Sequence, residues 1–478
     1  MKRIAIIGGG FTGTMTAVQL IEKSVEPIKI TLINELKTLN RGIAYNPYSE
    51  KHLLNVITGK MGAYPDQPDH FLDWVLEQPQ FFSKDRTLIS NAFLPRTIYG
   101  DYLVAIWEKA LKLAATKNIP VQVIHDYVTD LCPEENKVKV SIFNNETLEA
   151  DACLIASGNN IPRNPTIKNT SFFNSKNYFQ NPWEKASVES IDSHLPVLII
   201  GNGLTMVDTV LGLLEEGFNG EIYSISPNGF NILPHRHNGF KYTKLTEEIK
   251  EDDSLFDLVK KVIKHIKTVR EYGVTAEPVI DSLRPHTQRI WKNLSDSEKK
   301  LFMSRFRHLW GVARHRIPLH THDKIQNLRI EGKLHINSGK IIDFTESDKA
   351  ITLTYFDKKE QITKELKVSR VINCTGPETN LKNLDQSFLK NCLLNGLLTQ
   401  DNLNLGIKTN TETYQILDSR GIPHKNLFTI GSSLKGELWE STAVNELRVQ
   451  GKSLAEQLLR EEHNIENIQN ENLKAMNQ

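Results

Sequence analysis

Hydrophobic residues form two short runs along the chain, each followed by glycines and then by residues with helical spacing. Residues 2–7 have the pattern of a buried strand, residues 12–22 that of a helix, and residues 28–33 that of a second strand. The same order returns at residues 196–200, 204–214 and 221–226. Strand, helix and strand in this order predict a βαβ unit with parallel strands. The chain is therefore expected to contain two such units.

Glycines occupy the turn between the first strand and its helix. Gly8, Gly10 and Gly13 have the spacing G-x-G-x-x-G. The first glycine allows a tight turn, the second lets backbone N–H groups approach a pyrophosphate, and the third lets helix and strand pack closely. Because a strand precedes the turn and a helix follows it, the spacing predicts dinucleotide binding rather than a purely structural turn.

The residue that would hold the ribose in this first unit departs from the usual pattern. A carboxylate is expected at the end of the second strand, but Asn34 stands there and Glu35 follows it. Either Glu35 replaces the usual carboxylate after a small change in register, or Asn34 makes weaker hydrogen bonds to the ribose.

The second glycine turn is less complete than the first. Gly201 and Gly203 precede the helix, but Met206 replaces the third glycine, so the helix is expected to stand further from the strand. Asp208 lies in the first turns of this helix, where a negative charge suits the helix dipole. We predict contacts with a nicotinamide nucleotide at Gly201, Gly203 and Thr205. The alternative is a structural unit that no longer binds a nucleotide.

A cofactor with a 2′-phosphate would want a cation after the last strand of this second unit. Residues 226–229 (SPNG) contain none, and the next cationic side chains are His235 and Arg236. This weakens the case for NADPH. NADH stays open, and so does a phosphate contact from Arg236 or from a residue folded in from elsewhere.

Composition narrows the class of protein. A chain of 478 residues is long enough for about two to three domains. With 39% hydrophobic residues, 24% charged residues and a net charge of +1, nothing favours nucleic acid or an anionic membrane as a partner. The sequence shows no export signal and no run of about 18 apolar residues. Four scattered cysteines without C-x-x-C spacing predict reduced thiols in a cytoplasmic protein.

Other catalytic classes lack their motifs in this sequence. It contains no G-x-S-x-G elbow, no P-loop lysine after either glycine turn and no C-x-x-C pair. A Ser–His–Asp hydrolase, an ATPase and a disulfide reductase are therefore not expected.

Two basic clusters, 235–237 (HRH) and 314–316 (RHR) with His308 nearby, are the densest polar groups. They suit an anion better than a metal ion, so no metal site is predicted. The simplest interpretation is that their arginines pair with acidic neighbours. Some aromatic residues could wall a flavin or substrate pocket, or could lie in the core: Tyr45, Tyr64, Trp74, Trp310 and Trp439.

Four further segments carry a resemblance to a known family: RGIAY at 41–45, HLLNV at 52–56, FLPRTIYGDY at 93–102 and LRPHTQ at 283–288. With the two glycine turns, they resemble the FAD/NAD(P)-binding protein family of bacterial flavoproteins. That family is distantly similar to flavin-containing and amino-acid N-hydroxylating monooxygenases. The resemblance, which runs from residue 2 to about residue 459, implies an α/β fold of two Rossmann-like dinucleotide-binding domains. This is the two-domain flavoprotein oxidoreductase type, here with a helical insertion.

The resemblance also implies which residues contact FAD. The first glycine turn would hold it, with Arg41 nearby and with His52, Leu53, Leu54 and Asn55 beside the isoalloxazine. Strand ends at 152–158, 371–376 and 427–431 would bring the chain under the cofactor, and the last helix, 439–459, would point its N-terminus at the flavin. Arg448 either serves there or forms a surface ion pair. The contacts expected from these segments are Ala156, Ser157, Gly158, Gly376, Gly431, Ser441 and Thr442.

The expected domains follow from this assignment. Residues 1–181 and 342–463 would form the FAD domain, and residues 182–341 the nicotinamide-nucleotide domain, with a helical insert at about 243–307. Residues 464–478 would form a polar tail that frays.

The implied function is that of an FAD-dependent oxidoreductase, and most specifically of an NAD(P)H-dependent monooxygenase. A nicotinamide nucleotide would reduce the flavin, and molecular oxygen would then give a C4a-hydroperoxide that hydroxylates a small molecule, such as an amine. No side chain is identified as catalytic. Two alternatives stay open: a flavin-dependent dehydrogenase or oxidase that uses no nicotinamide, and a non-catalytic flavin-binding regulatory protein. A homo-oligomer is compatible with the sequence.

Overall fold

The computed structural model describes residues 1–236, 240–348, 350–385 and 387–476, with side chains described as far as Arg460. The chain forms two compact units. The first contains Met1–Asn46, Val56–Asn159 and Thr379–Gln478, and the second contains Pro47–Asn55 and Asn160–Glu378. The chain therefore passes from one unit to the other four times.

The strands are, in chain order, β1 (Lys2–Ile7), β2 (Ile28–Ile33), β3 (Val121–Ile124), β4 (Val128–Pro133), β5 (Val138–Ile142), β6 (Thr147–Ala150), β7 (Ala152–Ile155), β8 (Tyr178–Phe179), β9 (Val197–Ile200), β10 (Ile222–Ser226), β11 (Leu233–Pro234), β12 (Arg316–Ile317), β13 (Leu334–Glu346), β14 (Ile351–Asp357), β15 (Ile362–Val368), β16 (Arg370–Asn373), β17 (Gln415–Leu417) and β18 (Pro423–Thr429).

The α-helices are α1 (Phe11–Lys23), α2 (His70–Leu76), α3 (Arg86–Ser90), α4 (Arg96–Thr116), α5 (Leu204–Glu215), α6 (Lys244–Glu248), α7 (Leu255–Glu271), α8 (Glu277–Ser282), α9 (Thr287–Asn293), α10 (Asp296–Arg305), α11 (Arg307–Arg314), α12 (Leu319–Ile330), α13 (Phe388–Leu394), α14 (Lys435–Leu438) and α15 (Val444–Met476).

The first unit is built on a six-stranded sheet with the order β17-β18-β7-β1-β2-β3. β1 pairs in parallel with β2 and β7, and β18 pairs in parallel with β7. All four residues of β7 are buried, as expected for a parallel strand that is covered on both faces. A separate antiparallel sheet, β4-β5-β6, completes this unit's strands in the described part of the chain.

The second unit is built on a seven-stranded sheet with the order β15-β14-β13-β10-β9-β16-β8. β9, β10, β16 and β8 are parallel, and β13 joins β10 in parallel before it continues as an antiparallel partner of β14. The order β16-β9-β10-β13 corresponds to the order β7-β1-β2-β3 of the first sheet. Both predicted βαβ units are therefore present, with the same arrangement of strands around them.

The units do not divide where the sequence suggested. Because β16 pairs with β9, the second unit continues to Glu378 instead of ending near residue 341. Because β8 pairs with β16, the same unit begins at Asn160 instead of residue 182. Pro47–Asn55, which was predicted within the FAD domain, also belongs to the second unit. These differences come from pairings between residues far apart in the sequence.

The last helix begins later than predicted. α15 starts at Val444 rather than near residue 439. Trp439 has φ 61° and ψ −60°, and the Glu440 N–H donates to the Leu438 carbonyl at 2.7 Å. This is the geometry of a γ-turn, which no helix can include. The helix then runs to Met476, so most of the predicted polar tail has helical backbone, while its last two residues lie outside the described part.

The predicted helical insert is present and is longer than expected. Helices α6 to α11 span residues 244–314, beyond the predicted end near 307. Leu245, Val269, Val279 and Leu283 form a small buried cluster of their own within it. Throughout the described residues, every helix is too short or too polar to traverse a lipid bilayer.

Candidate cofactor-binding sites

Gly8 closes the first turn against the neighbouring strand β7. Its N–H donates to the Ile33 carbonyl at 2.9 Å, and its φ of +100° is a conformation that other residues rarely adopt. A Cβ at this position would lie 2.3 Å from the carbonyl oxygen of Ala156. The fold itself therefore requires glycine here.

Gly10 and Gly13 have different roles in the same turn. Gly13 packs on the carbonyl oxygen of Gly8, which would lie 1.9 Å from an added Cβ. Gly10 is the N-cap of α1, with φ −73° and ψ −166°, and a Cβ there would meet the Cα of Gly42 at an ordinary 3.5 Å. The fold thus does not require glycine at residue 10, and the open N-terminus of α1 fits the predicted approach of a ligand.

Asn34 is bonded to the glycine turn. Its Oδ1 accepts from the Gly9 N–H at 2.8 Å, and its Nδ2 donates to the Glu35 carbonyl at 2.6 Å and to the Thr38 hydroxyl at 3.1 Å. These bonds occupy the amide, whereas the side chain of Glu35 is exposed. Of the two alternatives for the ribose ligand, this arrangement favours Glu35.

Arg41 and Tyr45 lie beside α4. Arg41 forms an ion pair with Asp101 at 2.6 Å, and the ring of Tyr45 packs 4.5 Å from that of Tyr99. Tyr99 also stacks with Phe11, the first residue of α1. The Tyr99 hydroxyl is buried and has no hydrogen-bond partner among the described atoms. A buried polar atom of this kind next to the glycine turn is one that a bound cofactor can satisfy.

Ala156, Ser157 and Gly158 follow β7 at the carboxyl edge of the first sheet. Gly158 has φ +72°, and no atom lies within 4 Å of an added Cβ. Arg448 of α15 donates from Nη1 to the Gly62 carbonyl at 2.7 Å, while its buried Nε has no partner among the described atoms. Space at a strand end and a second unsatisfied buried donor both fit an FAD site in this unit.

The segment predicted to face the flavin from the last helix is held by a buried hydrogen-bond ring. The Gly431 N–H donates to Gln450 Oε1 at 2.9 Å, the Ser441 hydroxyl donates to the Gly431 carbonyl at 2.7 Å, and Gln450 Nε2 donates to Ser441 Oγ at 2.9 Å. The Gly431 N–H and the Ser441 hydroxyl proton are thus used within the protein, whereas Thr442 is exposed. No pattern in the sequence pointed to Gln450.

We expect Gln450→Leu to lower the free energy of unfolding by about 2 kcal/mol, because the buried Gly431 N–H loses its acceptor. Chemical denaturation of the FAD-loaded protein measures the change. Val449, which is exposed on the same helix, provides the control variant Val449→Ala, with an expected change within about 0.5 kcal/mol. Equal stability of the two variants would contradict a stabilising role for the ring.

Gly201 repeats the geometry of Gly8 in the second unit. Its N–H donates to the Ile225 carbonyl at 2.8 Å, its φ is +109°, and a Cβ would lie 2.5 Å from the Cys374 carbonyl oxygen. Gly203 is the N-cap of α5, with φ −83° and ψ −169°, and no atom lies within 4 Å of an added Cβ. Thr205 follows in the first turn of α5. The second turn therefore closes like the first and leaves its helix N-terminus more open.

The third position of the two turns differs. Met206 is buried in the core of the second unit instead of allowing the close contact that Gly13 makes. The Gly201 carbonyl instead accepts the Ser224 hydroxyl at 3.0 Å, and that hydroxyl also lies 2.6 Å from Asn202 Oδ1. In the second unit a serine hydroxyl thus contacts the carbonyl of the first glycine, whereas in the first unit Gly13 packs on that carbonyl.

Gly376 lies in the second unit, not in the FAD domain where the sequence placed it. It follows β16, which pairs with β9. Its φ is +91°, and no atom lies within 4 Å of an added Cβ, as at Gly158 in the first unit. Each sheet therefore ends in an open glycine beside its own glycine turn.

The segment predicted to lie beside the isoalloxazine is bonded within the second unit at both ends. His52 is fully buried, and its Nε2 lies 3.0 Å from the Asp208 carbonyl oxygen of α5. His235 Nε2 lies 2.9 Å from the carbonyl oxygen of Asn55. Burial lowers the pKa of His235, which favours its neutral ring. Leu53, between the two ends, is partly buried.

A cation reaches the end of β10 from a distant part of the chain. Lys358 Nζ donates to the Pro227 carbonyl at 2.6 Å, across 131 residues. Sequence reasoning found no cation after this strand because Lys358 is brought there only by the pairing of β13 with both β10 and β14. No local pattern in the sequence signals that pairing.

Arg316 of the second basic cluster lies in β12 and forms an ion-pair network with helix α8 of the insert. Arg316 is buried and pairs with Glu277 and Asp281, with 2.6 Å between its Nη2 and Asp281 Oδ1. The backbone N–H of Arg236 also donates to Glu277, at 3.1 Å. For Arg316, pairing with acidic neighbours is therefore the correct interpretation.

The other members of the basic clusters lie nearby in the sequence but are not all described. His308 Nε2 lies 3.1 Å from Arg307 Nη2 at the start of α11. Arg314 ends that helix, and the His315 N–H donates to the Gly311 carbonyl at 2.8 Å. His237 lies outside the described residues.

The remaining aromatic residues suggested as pocket walls pack against side chains of their own unit. Tyr64 and Trp74 belong to the aromatic cluster of the first unit, and Trp310 packs within the insert. The Lys435 ammonium lies 5.4 Å from the ring centre of Trp439. Tyr64 and Trp439 are buried, whereas Trp74 and Trp310 are partly buried.

The four cysteines are free thiols. Cys153, Cys374 and Cys392 are buried, and burial raises the pKa of each, for Cys374 and Cys392 to about 12. A buried thiol with a raised pKa is a poor nucleophile. Cys132 is exposed. The cysteine environments thus agree with the absence of C-x-x-C from the sequence.

Comparison with known proteins adds to this geometry. A family model described as FAD-NAD(P)-binding matches residues 5–160, and no curated protein matches the sequence. The chain is similar to the solved structure of the Kutzneria sp. 744 ornithine N-hydroxylase with reduced FAD, NADP+ and L-ornithine. The TM-score is 0.65 at 13% identity, over 96% of this chain and 99% of that chain.

Two further solved structures show the same likeness. For L-lysine 6-monooxygenase from Pseudomonas syringae the TM-score is 0.62 at 15% identity, over 96% of this chain and 99% of that one. For bacillithiol disulfide reductase from Staphylococcus aureus it is 0.54 at 13% identity, again over 96% and 99%. At such identities the likeness establishes the fold, and the predicted α/β fold is confirmed. Residues 5–160 match the FAD-NAD(P)-binding family model, and the chain as a whole has the fold of these solved structures.

Proposed function

We propose that the protein is an FAD-dependent oxidoreductase reduced by a nicotinamide nucleotide, and most specifically a monooxygenase that acts on a small molecule with molecular oxygen. The observation that carries the proposal is the second glycine turn. Gly201 closes against the Cys374 carbonyl as Gly8 closes against that of Ala156, and Gly203 leaves the N-terminus of α5 open. A unit that had lost its ligand would have no need to keep this space free of side chains.

In this proposal each turn has one cofactor. FAD lies at Gly8, Gly10 and Gly13, where α1 directs its N-terminal N–H groups and Glu35 supplies the carboxylate for the ribose. The nicotinamide nucleotide lies at Gly203 and Thr205, at the N-terminus of α5. FAD, when bound, supplies hydride acceptance and the activation of oxygen. The side chains of this protein bind, orient and shield the reactants without covalent chemistry.

Likeness to the amine hydroxylases in the comparison supports a monooxygenase, and the cysteines argue against the disulfide chemistry of the third structure. An amine is therefore the substrate class we favour. A dehydrogenase or oxidase that takes hydride from its own substrate would not need the open helix N-terminus at Gly203. The second glycine turn therefore distinguishes the proposed function from this alternative.

The test uses one methyl group in each turn. We expect Gly203→Ala to slow anaerobic flavin reduction by NADH and NADPH at least about tenfold at subsaturating nucleotide, because the methyl group blocks the approach of a pyrophosphate. FAD content and stability should stay unchanged, because no atom lies within 4 Å of the new Cβ. Gly10→Ala should instead weaken FAD retention. Flavin absorbance and stopped-flow bleaching measure both effects.

A matched control keeps the result interpretable. Gly311→Ala adds a methyl group to α11, where the nearest atom lies 3.9 Å away, and it should change neither property. If wild-type flavin is not bleached by either nucleotide, the nicotinamide part of the proposal is wrong and the oxidase or dehydrogenase is favoured. If bleaching is unaffected by Gly203→Ala, the nucleotide does not use this turn.

A further inference from the structure

Equivalent hydrogen bonds identify the ribose-reading position of the second unit. The Gly8 N–H donates to Ile33, the residue before Asn34, and the Gly201 N–H donates in the same way to Ile225, the residue before Ser226. Ser226 is therefore the counterpart of the position that ends the second strand in a dinucleotide unit. A carboxylate there binds both ribose hydroxyls and repels a 2′-phosphate. Serine leaves that position uncharged.

Lys358 supplies a positive charge at the same place. Its backbone N–H donates to the Ser338 carbonyl at 3.0 Å, which places Lys358, directly after β14, beside the β13 residue that is level with Ser226 on β10. Its Nζ donates to the Pro227 carbonyl, one residue beyond Ser226, at 2.6 Å. The side chain is exposed, and an ammonium group has three donors, so two remain for a ligand.

The carboxylates of the same hairpin are engaged elsewhere. Asp357 pairs with Lys364 at 2.9 Å and accepts the backbone N–H groups of residues 359 and 360. Lys364 also pairs with Glu360. Its hydrogen bond to Asp357 lowers the pKa of that carboxyl below the usual value. Both carboxylates thus have Lys364 as their ion-pair partner rather than Lys358, whose ammonium group can still contact an anion.

The loop after β10 is shaped around this position. The Gly229 N–H donates to Ser226 Oγ at 3.0 Å. Gly229 has φ +59°, and a Cβ added to it would lie 3.1 Å from the backbone nitrogen of Ser338. The Ser338 hydroxyl also donates to the Pro227 carbonyl, at 3.1 Å. The tight loop keeps the Ser226 end of the strand and the ammonium of Lys358 together.

From these contacts we infer that Lys358 determines cofactor specificity by binding the 2′-phosphate of the nucleotide, so that the second unit prefers NADPH to NADH. The inference rests on the proposed function of the second glycine turn. A charge-assisted hydrogen bond from an exposed lysine to a phosphate is expected to give about tenfold discrimination.

The test uses two ligands without nicotinamide, 2′-phospho-ADP-ribose and ADP-ribose, titrated calorimetrically into the FAD-loaded protein. Wild type should bind the 2′-phosphorylated ligand about tenfold more tightly. Lys358→Ala should remove this preference while the affinity for ADP-ribose stays the same, and Lys358→Glu should reverse it. Lys359→Ala makes the same charge change at the next exposed residue, and it should keep the preference.

Each other outcome overturns the inference in a distinguishable way. If both ligands bind, both are weakened by Gly203→Ala, and wild type shows no preference, then Lys358 does not read the phosphate but the proposed function stands. The same conclusion follows if the preference survives Lys358→Ala or is lost equally in Lys359→Ala. If neither ligand binds, or if binding does not respond to Gly203→Ala, the proposed use of the second turn fails as well.

Discussion

Gly13→Ala should destabilise the first unit by about 3 kcal/mol and abolish retention of FAD. The new Cβ would lie 1.9 Å from the Gly8 carbonyl oxygen, and it would also come within 3.1 Å of an Ile6 methyl group. Both obstacles belong to the strand and turn that α1 packs against, so the helix must move away from β1. Overpacking of a rigid core typically costs about 1–3 kcal/mol, and a carbonyl at this distance belongs at the upper end. A displaced helix also withdraws its N-terminus from the pyrophosphate.

The measurement is thermal unfolding with and without added FAD, together with flavin content after gel filtration. Gly10→Ala is the informative comparison, because it places the same methyl group in the same turn, where the nearest contact is an ordinary 3.5 Å. It should retain stability while losing FAD affinity. A Gly13→Ala protein as stable as wild type, with FAD bound, would show that the close packing of α1 is not required.

Arg316→Met should destabilise the helical insert by about 3 kcal/mol. Arg316 has only 4% of its side chain exposed, and its partner Glu277 has 16% exposed, so removing the guanidinium leaves a nearly buried carboxylate without its cation. Breaking one side of a buried pair typically costs about 3–5 kcal/mol. The lower end applies because the second partner, Asp281, keeps 47% of its side chain in contact with solvent.

Arg289→Met tests whether burial is the cause. Arg289 lies in the same insert and pairs with Glu251 at 3.6 Å, but these side chains are 50% and 79% exposed. Its loss should change stability by no more than about 0.5 kcal/mol. Urea denaturation followed by tryptophan fluorescence reports on the insert, which contains Trp291 and Trp310. Equal effects of the two variants would mean that the Arg316 network adds nothing beyond a surface ion pair.

The features that the sequence predicted well are those fixed by local physics. Both βαβ units and the structural roles of Gly8 and Gly13 follow from hydrophobic periodicity and from the space beside a Cβ, which involve residues close to the turn. The observed helix α1 differs from the predicted one by a single residue at each end. The predicted reduced, buried thiols are also found at Cys153, Cys374 and Cys392.

The features that it missed depend on pairing across long separations. β16 joins β9 across about 170 residues, which moved Gly376 from the expected FAD domain into the second unit. Lys358 reaches the end of β10 only through the long strand β13. Asn34 could be recognised as an exception to the ribose rule, but its bond to the Gly9 N–H requires coordinates. In each case the sequence predicts where a residue lies along its own element, but it does not predict which distant residue becomes its neighbour.

The second unit is assembled from two segments that are separated in the sequence. The two ends of Asn160–Glu378 are joined side by side, since the Glu378 N–H donates to the Ile161 carbonyl at 3.2 Å and Asn160 Nδ2 donates to the Glu378 carbonyl at 3.1 Å. Such a fragment could be excised as one piece, yet it would lack the nine residues of Pro47–Asn55. Tyr48 packs so closely on α5 that a Cβ at Gly212 would lie 2.8 Å from its hydroxyl oxygen. The excised fragment would therefore leave the surface of α5 that Tyr48 covers exposed. A synthetic peptide of residues 47–55 should bind there and complete the second unit.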